Sequence, residues 1–271
     1  MKQHIFLSLI LAVTFILPCK SKDKAAAFSL KVEKYTLSNG LTVVLHEDKS
    51  DPIAAVAVYY HVGSSRETTG KTGFAHLFEH MMFQRSENVP EDQFFKNIQE
   101  AGGSLNGSTS QDRTNYYEVV PKNALEMALW MESDRMGYLE NTVTQASFIN
   151  QQNVVQNEKR QSYDNAPYGF NQEVILKNLY PKGHPYSWTV IGEMEDLTNA
   201  TVDDVKAFHR KFYSPNNAFL VISGDFDKAE TKKWVEKYFG EIPKGELVEE
   251  RKAMNVSLPQ TKKLYHEDNF A

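Results

Sequence analysis

Cysteine is almost missing from this chain: Cys19 is the only one in 271 residues. No internal disulfide can form, and a metal held by the body of the chain must be bound through nitrogen and oxygen. A basic excess is missing too, since 30 Lys and Arg face 35 Asp and Glu, for a net charge of -5. With no positive field to neutralise phosphates, nucleic acid is not an expected partner. Repeats and low-complexity tracts are also lacking, which sets aside solenoids and disordered tails. What is present is 41% hydrophobic content, enough to bury a core in one large or two small domains.

The N-terminus reads as an address. An apolar stretch from Ile5 to Leu17 follows Lys2 and gives way to polar residues, the pattern of an export signal and too short for the roughly 20 residues of a membrane-spanning helix. Residues 1–27 are therefore read as a signal segment, with cleavage near Ala25 to Ala27 as one route. The other is lipid anchoring, because Cys19 resembles the lipidated cysteine of bacterial lipoprotein signals, although Pro18 stands where a small residue is usual. Either route leads to the periplasm or cell envelope.

Beyond the signal, extended and helical patterns mix without strict βαβ alternation, which predicts an α+β fold. Asn39-Gly40 marks a hairpin turn, Ile53 to Tyr60 a strand, and Leu105 to Val120 a strand pair after the Gly102-Gly103 turn. Helices are expected over 93–100, 125–136, 148–161, 202–212 and 228–239, with a short buried strand at 219–223. The body is taken as residues 28–250. Residues 251–271 start a new extended run and are read as a linker into a second half.

Within this frame, TGFAHLFEHMMF at 72–83 interrupts an apolar helix with His76, Glu79 and His80. Thr72 is the expected cap. Spacings of i, i+3 and i+4 put all three side chains on one helical face. A lone histidine on an apolar helix is ordinarily a hydrogen-bonded core residue. The triplet H-x-x-E-H is different, since this composition supplies only about 0.02 chance copies. Two imidazoles one turn apart can hold a metal, and a carboxylate beside them can serve as a base. A third ligand is required, for which Glu158, Asp112, Glu118 and Glu173 are candidates by residue type.

H-x-x-E-H is the inverzincin signature. Through it, and through the Gly-Ser of YYHVGSSRE, the segment GGSLNGSTSQDRTNYYEVVP and the stretch HPYSWTVIGEMEDLTNATVDDVKAFHRKFYSPNNAFLVISGDFD, the chain resembles the pitrilysin and insulinase-type zinc metallopeptidases, particularly the shorter bacterial, processing-peptidase-like members. The resemblance covers most of Val32 to Asp227. It implies a LuxS/mitochondrial-processing-peptidase-like metallohydrolase fold, with a mixed, mostly antiparallel sheet and packed helices. It also implies one Zn2+ per chain, held by His76, His80 and a glutamate roughly 75 to 80 residues after the motif, which is Glu158 in NQQNVVQNEKRQS. Glu79 would be the general base. Leu105, Asn106, Gly107 and Ser108 would form the exposed edge strand on which an extended substrate pairs, with Asn106 orienting its backbone. Some members carry a second glutamate shortly before the third ligand, where this chain has Gln151 and Gln152.

The expected activity is hydrolysis of peptide bonds in peptides or unfolded proteins, with residues 28–250 as the catalytic half of a clamshell that a homologous second half or a partner chain completes. Two other readings stand beside it. One is a partner-dependent subunit or fragment that binds peptide and zinc without turnover on its own. The other is a peptide-binding or envelope-assembly module with structural zinc, which would need a fourth ligand. Arg113, Asn115, Tyr116 and His184 are read as structural, and His46, His61 and His209 as surface or core residues.

Overall fold

The computed structural model describes residues 29–268. Residues 1–27, read above as a signal segment, and Cys19 among them lie outside the described residues. In chain order the elements are β1 (Glu33–Thr36), β2 (Thr42–Glu47), β3 (Ile53–Tyr60), α1 (Phe74–Met81), α2 (Gln93–Glu100), β4 (Ser104–Thr109) and β5 (Thr114–Pro121). There follow α3 (Leu125–Tyr138), α4 (Gln145–Lys159), α5 (Asn171–Leu179), α6 (Met194–Asn199), α7 (Val202–Phe212), β6 (Ala218–Gly224) and α8 (Lys228–Phe239). No described helix is long and apolar enough to cross a membrane.

The strands form one six-stranded sheet in the order β1-β2-β6-β3-β5-β4. Every pairing is antiparallel except β2 with β6, where Val43 lies opposite Leu220 and Leu45 opposite Ile222. Alternation decides which face is buried: Val43, Leu45, Val56, Val58, Tyr60, Tyr116, Leu220 and Ile222 point inward beneath the helices. Tyr59, Tyr117 and Phe219 remain partly exposed on the opposite face. The fold is α+β, with a mixed, mostly antiparallel sheet.

Asn39 shows how the turns are tied down. Gly40 follows it with φ of +93°, where a side chain would be strained. The Asn39 amide donates to the carbonyls of Phe239 at 2.7 Å and Ile242 at 2.9 Å, fastening the first hairpin to the end of α8. On the inner face, Glu132 and Arg135 of α3 form an ion pair that is almost wholly buried. The Arg135 guanidinium lies 4.3 Å from the ring centroids of both Phe94 and Tyr116. Glu118 of β5 is fully buried nearby, and burial pushes its carboxyl well above the ordinary range. These groups join α2, α3 and β5 under the strand that borders the site.

The helix over 148–161 begins earlier than its pattern suggests. Thr144 and Ser147 form a capping box, α4 starts at Gln145, and after Lys159 the backbone widens into a π turn over Arg160–Asp164. α5 and α6 have no counterpart in the sequence reading. α5 buries none of its residues and α6 only Leu197, so neither carries a strong apolar period. Residues 243–268 belong to no helix or strand. They are held by side-chain contacts such as Arg66 Nη1 to the Glu249 carbonyl at 2.8 Å and Arg251 Nη2 to the Glu67 carbonyl at 2.6 Å.

Candidate metal centre

α1 divides its residues by face. Phe74, Ala75, Leu77, Phe78 and Met81 are buried, while His76, Glu79 and His80 are only partly so. Thr72 does not cap the helix. The N-cap is Gly73, left-handed at φ of +85° with no side chain to accept from the helix. Thr72 instead donates its hydroxyl to Asp196 Oδ2 at 2.6 Å and accepts from the Glu193 backbone at 2.9 Å. Capping falls to Glu67, a buried carboxyl that accepts from Gly73 N at 3.0 Å, Ala75 N at 2.8 Å and Trp188 Nε1 at 3.1 Å. Its carboxyl oxygens satisfy N–H donors that the first turn of a helix leaves without an intrahelical partner.

Glu158, near the end of α4, reaches α1 from across the helix pair. Its Oε2 lies 3.8 Å from His76 Nε2 and 3.4 Å from His80 Nε2. The imidazole planes are nearly perpendicular, at 81°, so the rings approach one point from different directions. Burial, then the neighbouring His80, lowers His76 to about 4, which leaves it neutral with a lone pair to share. Hydrogen bonding to His80 holds Glu158 below the ordinary carboxylate range. The other candidate carboxylates lie elsewhere. Glu118 is sealed under α3, Asp112 accepts from Ser65 and Tyr186, and Glu173 pairs with Lys177.

Glu79 stands beside this cluster without joining it. Its Oε2 accepts from Thr109 Oγ1 at 2.5 Å, which leaves Oε1 unengaged on the side of Gly107. Burial pushes its carboxyl above the ordinary value, against the pull of the Thr109 hydroxyl. A cleft of about 270 Å³ opens here, lined by Glu79, His80, Phe83, Phe95, Asn106 and Gln151 among others.

β4 forms one rim of that cleft. It pairs with β5 on one side and, among the described residues, with no strand on the other, so it is an edge of the sheet. Gly107 N–H donates to its neighbour's side chain, Asn106 Oδ1, at 2.8 Å. Leu105 packs partly against the core, and the Ser108 hydroxyl donates to Asn115 Oδ1 at 2.7 Å. Arg113 donates to the Ser108 carbonyl at 3.0 Å, bracing this end of the strand. His184 accepts from Tyr186 N at 3.0 Å and stacks on Tyr180. His46, His61 and His209 contact Ser223, Arg66 and Glu140 respectively, outside the cluster. The helix-capping role of Glu67, the contact of Thr109 with Glu79 and the cleft position of Gln151 do not follow from the sequence. The one available signal was that Glu67 and Thr109 lie within the segments that carry the family resemblance.

The family model described as Insulinase (Peptidase family M16) matches residues 42–184, more than half of the 271 residues. The chain belongs to this family. A second M16 model, described as the inactive domain, matches residues 199–269. The zinc protease PqqE of Helicobacter pylori is 34% identical over 239 residues, covering 88% of this chain and 52% of that protein. The crystal structure of a protease from Helicobacter pylori superposes with a TM-score of 0.80 at 33% identity, covering 85% of this chain and 55% of that one. The periplasmic protease PqqL of Escherichia coli shares the fold, with a TM-score of 0.73 at 22% identity, covering 83% of this chain and 26% of that one. The chain thus spans about half the length of the H. pylori proteins it matches.

Zinc proteases among the M16 relatives imply zinc, and the donor set here fits it. Ligands about 2.0–2.1 Å from a tetrahedral centre lie roughly 3.3–3.4 Å apart. The 3.4 and 3.8 Å separations of Glu158 Oε2 from the two imidazole nitrogens are close to that spacing. Ligand atoms of His76, His80 and Glu158 all fall within 4.8 Å of one another, and this is the only such group among the described residues.

Proposed function

We propose that the protein is a zinc-dependent metalloendopeptidase that hydrolyses peptide bonds in peptides or unfolded proteins, with one Zn2+ held by His76, His80 and Glu158. The observation that carries this reading is the placement of Glu79 between that donor cluster and the unpaired edge of β4. Zinc bound there supplies Lewis-acid polarisation and lowers the pKa of water. Glu79 Oε1, the oxygen that Thr109 does not engage, accepts the proton from the attacking water and returns it to the departing nitrogen. An extended substrate lies along β4, pairing with the strand backbone through Leu105 to Ser108. Among the described residues no fourth side chain joins the three ligands, which favours an open site over a closed structural one.

The span of about half the matched relatives supports a second reading, in which this half needs a homologous second half or partner chain for turnover. The export-signal pattern of residues 1–27, with a periplasmic protease among the fold neighbours, supports action in the periplasm or cell envelope. The test is cleavage of a quenched-fluorescent peptide by the zinc-loaded protein beside Glu79→Gln, each with and without the second half, with zinc content measured throughout. The expected result is activity that disappears in Glu79→Gln while zinc stays bound near one per chain. Absence of cleavage by the unmodified protein with its second half present overturns the catalytic reading. Activity only with the second half selects the partner-dependent form.

A further inference from the structure

The cleft beside Glu79 has a second polar wall, to which peptide hydrolysis as described above gives no task. Gln151 lies two turns before Glu158 on the same face of α4. The residue is 6% exposed and lines the cleft together with Asn106 of β4 and with Glu79 and His80 of α1, the helix that packs against both α4 and β4. The neighbouring Gln152 donates to the Leu197 carbonyl at 2.6 Å, but the Gln151 amide makes no hydrogen bond to a described residue. The amide is therefore free to bond a group that enters the cleft, where a direct hydrogen bond contributes roughly 0.5–1.5 kcal/mol.

We infer that Gln151 is a substrate-positioning residue that hydrogen-bonds the peptide backbone on the side facing away from β4. The inference rests on the hydrolytic reading for the route of the peptide, and the chemistry of that route selects the amide. A strand added to an edge sits about 4.8 Å from it, and its backbone groups point alternately toward the edge and away. The groups facing β4 find Gly107 and its neighbours. Those facing away would enter the cleft unsatisfied, at the cost of any buried peptide group. An amide side chain offers both a donor and an acceptor, which matches a peptide unit where a carboxylate or an ammonium would match only half of it. Asn106 on one wall and Gln151 on the other then bracket the chain beside Glu79, fixing the scissile bond without reading any side chain. The substrate class this selects is an extended, unfolded segment of broad sequence, held by its backbone.

The test uses the full-length, zinc-loaded protein and Gln151→Met, a replacement of similar shape without the amide, with Gln151→Leu as a second variant should the first fold poorly. Substrates are one quenched-fluorescent peptide and a series in which successive amides flanking the cleaved bond are replaced by esters, which removes one backbone N–H at a time. Affinity for the same peptides is measured by fluorescence anisotropy in a Glu79→Gln background, where no turnover is needed. The expected result is a roughly 3- to 10-fold loss of kcat/KM and of affinity in Gln151→Met, the range of one hydrogen bond, with zinc content and melting temperature unchanged. At one ester position the unmodified protein suffers the same loss and Gln151→Met suffers no further one. Values within twofold of the unmodified protein, or losses that add at every ester position, overturn the inference. Absence of cleavage by the unmodified protein, with the anisotropy pattern intact, would instead defeat the hydrolytic reading and leave Gln151 as a peptide contact.

Discussion

Replacing Gly107 with alanine tests whether the cleft is as narrow as the structure has it. A Cβ at this position would lie 3.0 Å from Phe83 Cε2, 3.2 Å from Tyr116 Cδ1 and 3.3 Å from Glu79 Oε1. The two rings have little room to retreat. Tyr116 is fully buried with the Arg135 guanidinium 4.3 Å from its centroid, and Phe83 packs on Phe95 at 4.9 Å and on Tyr116 at 5.5 Å. Glu79 is the group that yields, by a few tenths of an ångström, drawing Oε2 away from the Thr109 hydroxyl at 2.5 Å. Gly→Ala in a strand gains about 0.5–1 kcal/mol from the unfolded state, and overpacking costs about 1–3 kcal/mol. The net is a loss of about 1 kcal/mol, or a melting temperature lower by roughly 2–4 °C. Misplacing a catalytic group by 1 Å costs on the order of 100-fold, so this smaller shift should lower kcat/KM by about tenfold. Cleavage kinetics, thermal melts and zinc content on one preparation provide the assay. Full kcat/KM with an unchanged melt would refute the reasoning, because the cleft would then have space for the methyl group.

Glu158→Gln should weaken zinc binding by more than roughly 100-fold, beyond the effect of losing an outer hydrogen bond alone; titration with a competing chelator measures it, and unchanged affinity would remove Glu158 from the ligand set. Burial pushes Glu67 from 4.5 up to about 8, against the pull of its three N–H donors. The folded state then keeps a proton that the unfolded state has released, so this group's contribution to stability falls as pH rises from about 4.5 to about 8, by at most about 5 kcal/mol. Metal-free denaturation of the unmodified protein and Glu67→Gln across pH 5–8 should show their difference changing with pH, and a constant difference would contradict it. Arg135→Met should cost about 3–5 kcal/mol by leaving Glu132 and Glu118 as uncompensated buried carboxyls, and adding Glu132→Leu should recover much of it; equal denaturation midpoints for the single and double variants would count against this coupling.

The parts of the fold legible in the sequence are those where an apolar period can be read. Ile53–Tyr60 buries every second residue, and the first turns of α3 bury Leu125, Ala128, Leu129 and Met131, which is enough to place the helix although the buried polar run Glu132–Arg135 then breaks the period. Thr72 is a different case: a threonine before an apolar run is the usual cap signal, yet Gly73 intervenes in a left-handed conformation and turns Thr72 toward Asp196. The competing partner lies 124 residues away, at a distance that no local rule reaches. α5 and α6 were missed for the opposite reason, since there was no period to read.

The site divides along the same line. His76, Glu79 and His80 lie within one helical turn, so backbone geometry alone gathers them and five residues are enough to find them. Glu158 is bland by itself, a glutamate ahead of Lys159 and Arg160, and only the packing of α4 on α1 gives it a role. Thr109, Glu67 and Gln151 go one step further. Thr109 of β4 bears on the centre through its bond to Glu79, Glu67 through the backbone donors it caps at the start of α1, and Gln151 of α4 through the shared cleft. Nothing in their types marks them, because threonine, glutamate and glutamine are ordinary in such elements. The two histidines and Glu79 are therefore written locally, whereas the third donor, Glu158, and the residues that set the aim of Glu79 and the breadth of the cleft are written in the tertiary structure. A change in substrate preference should accordingly be sought first in β4 and the buried face of α4, where replacements can alter the cleft while the helical triplet stays intact.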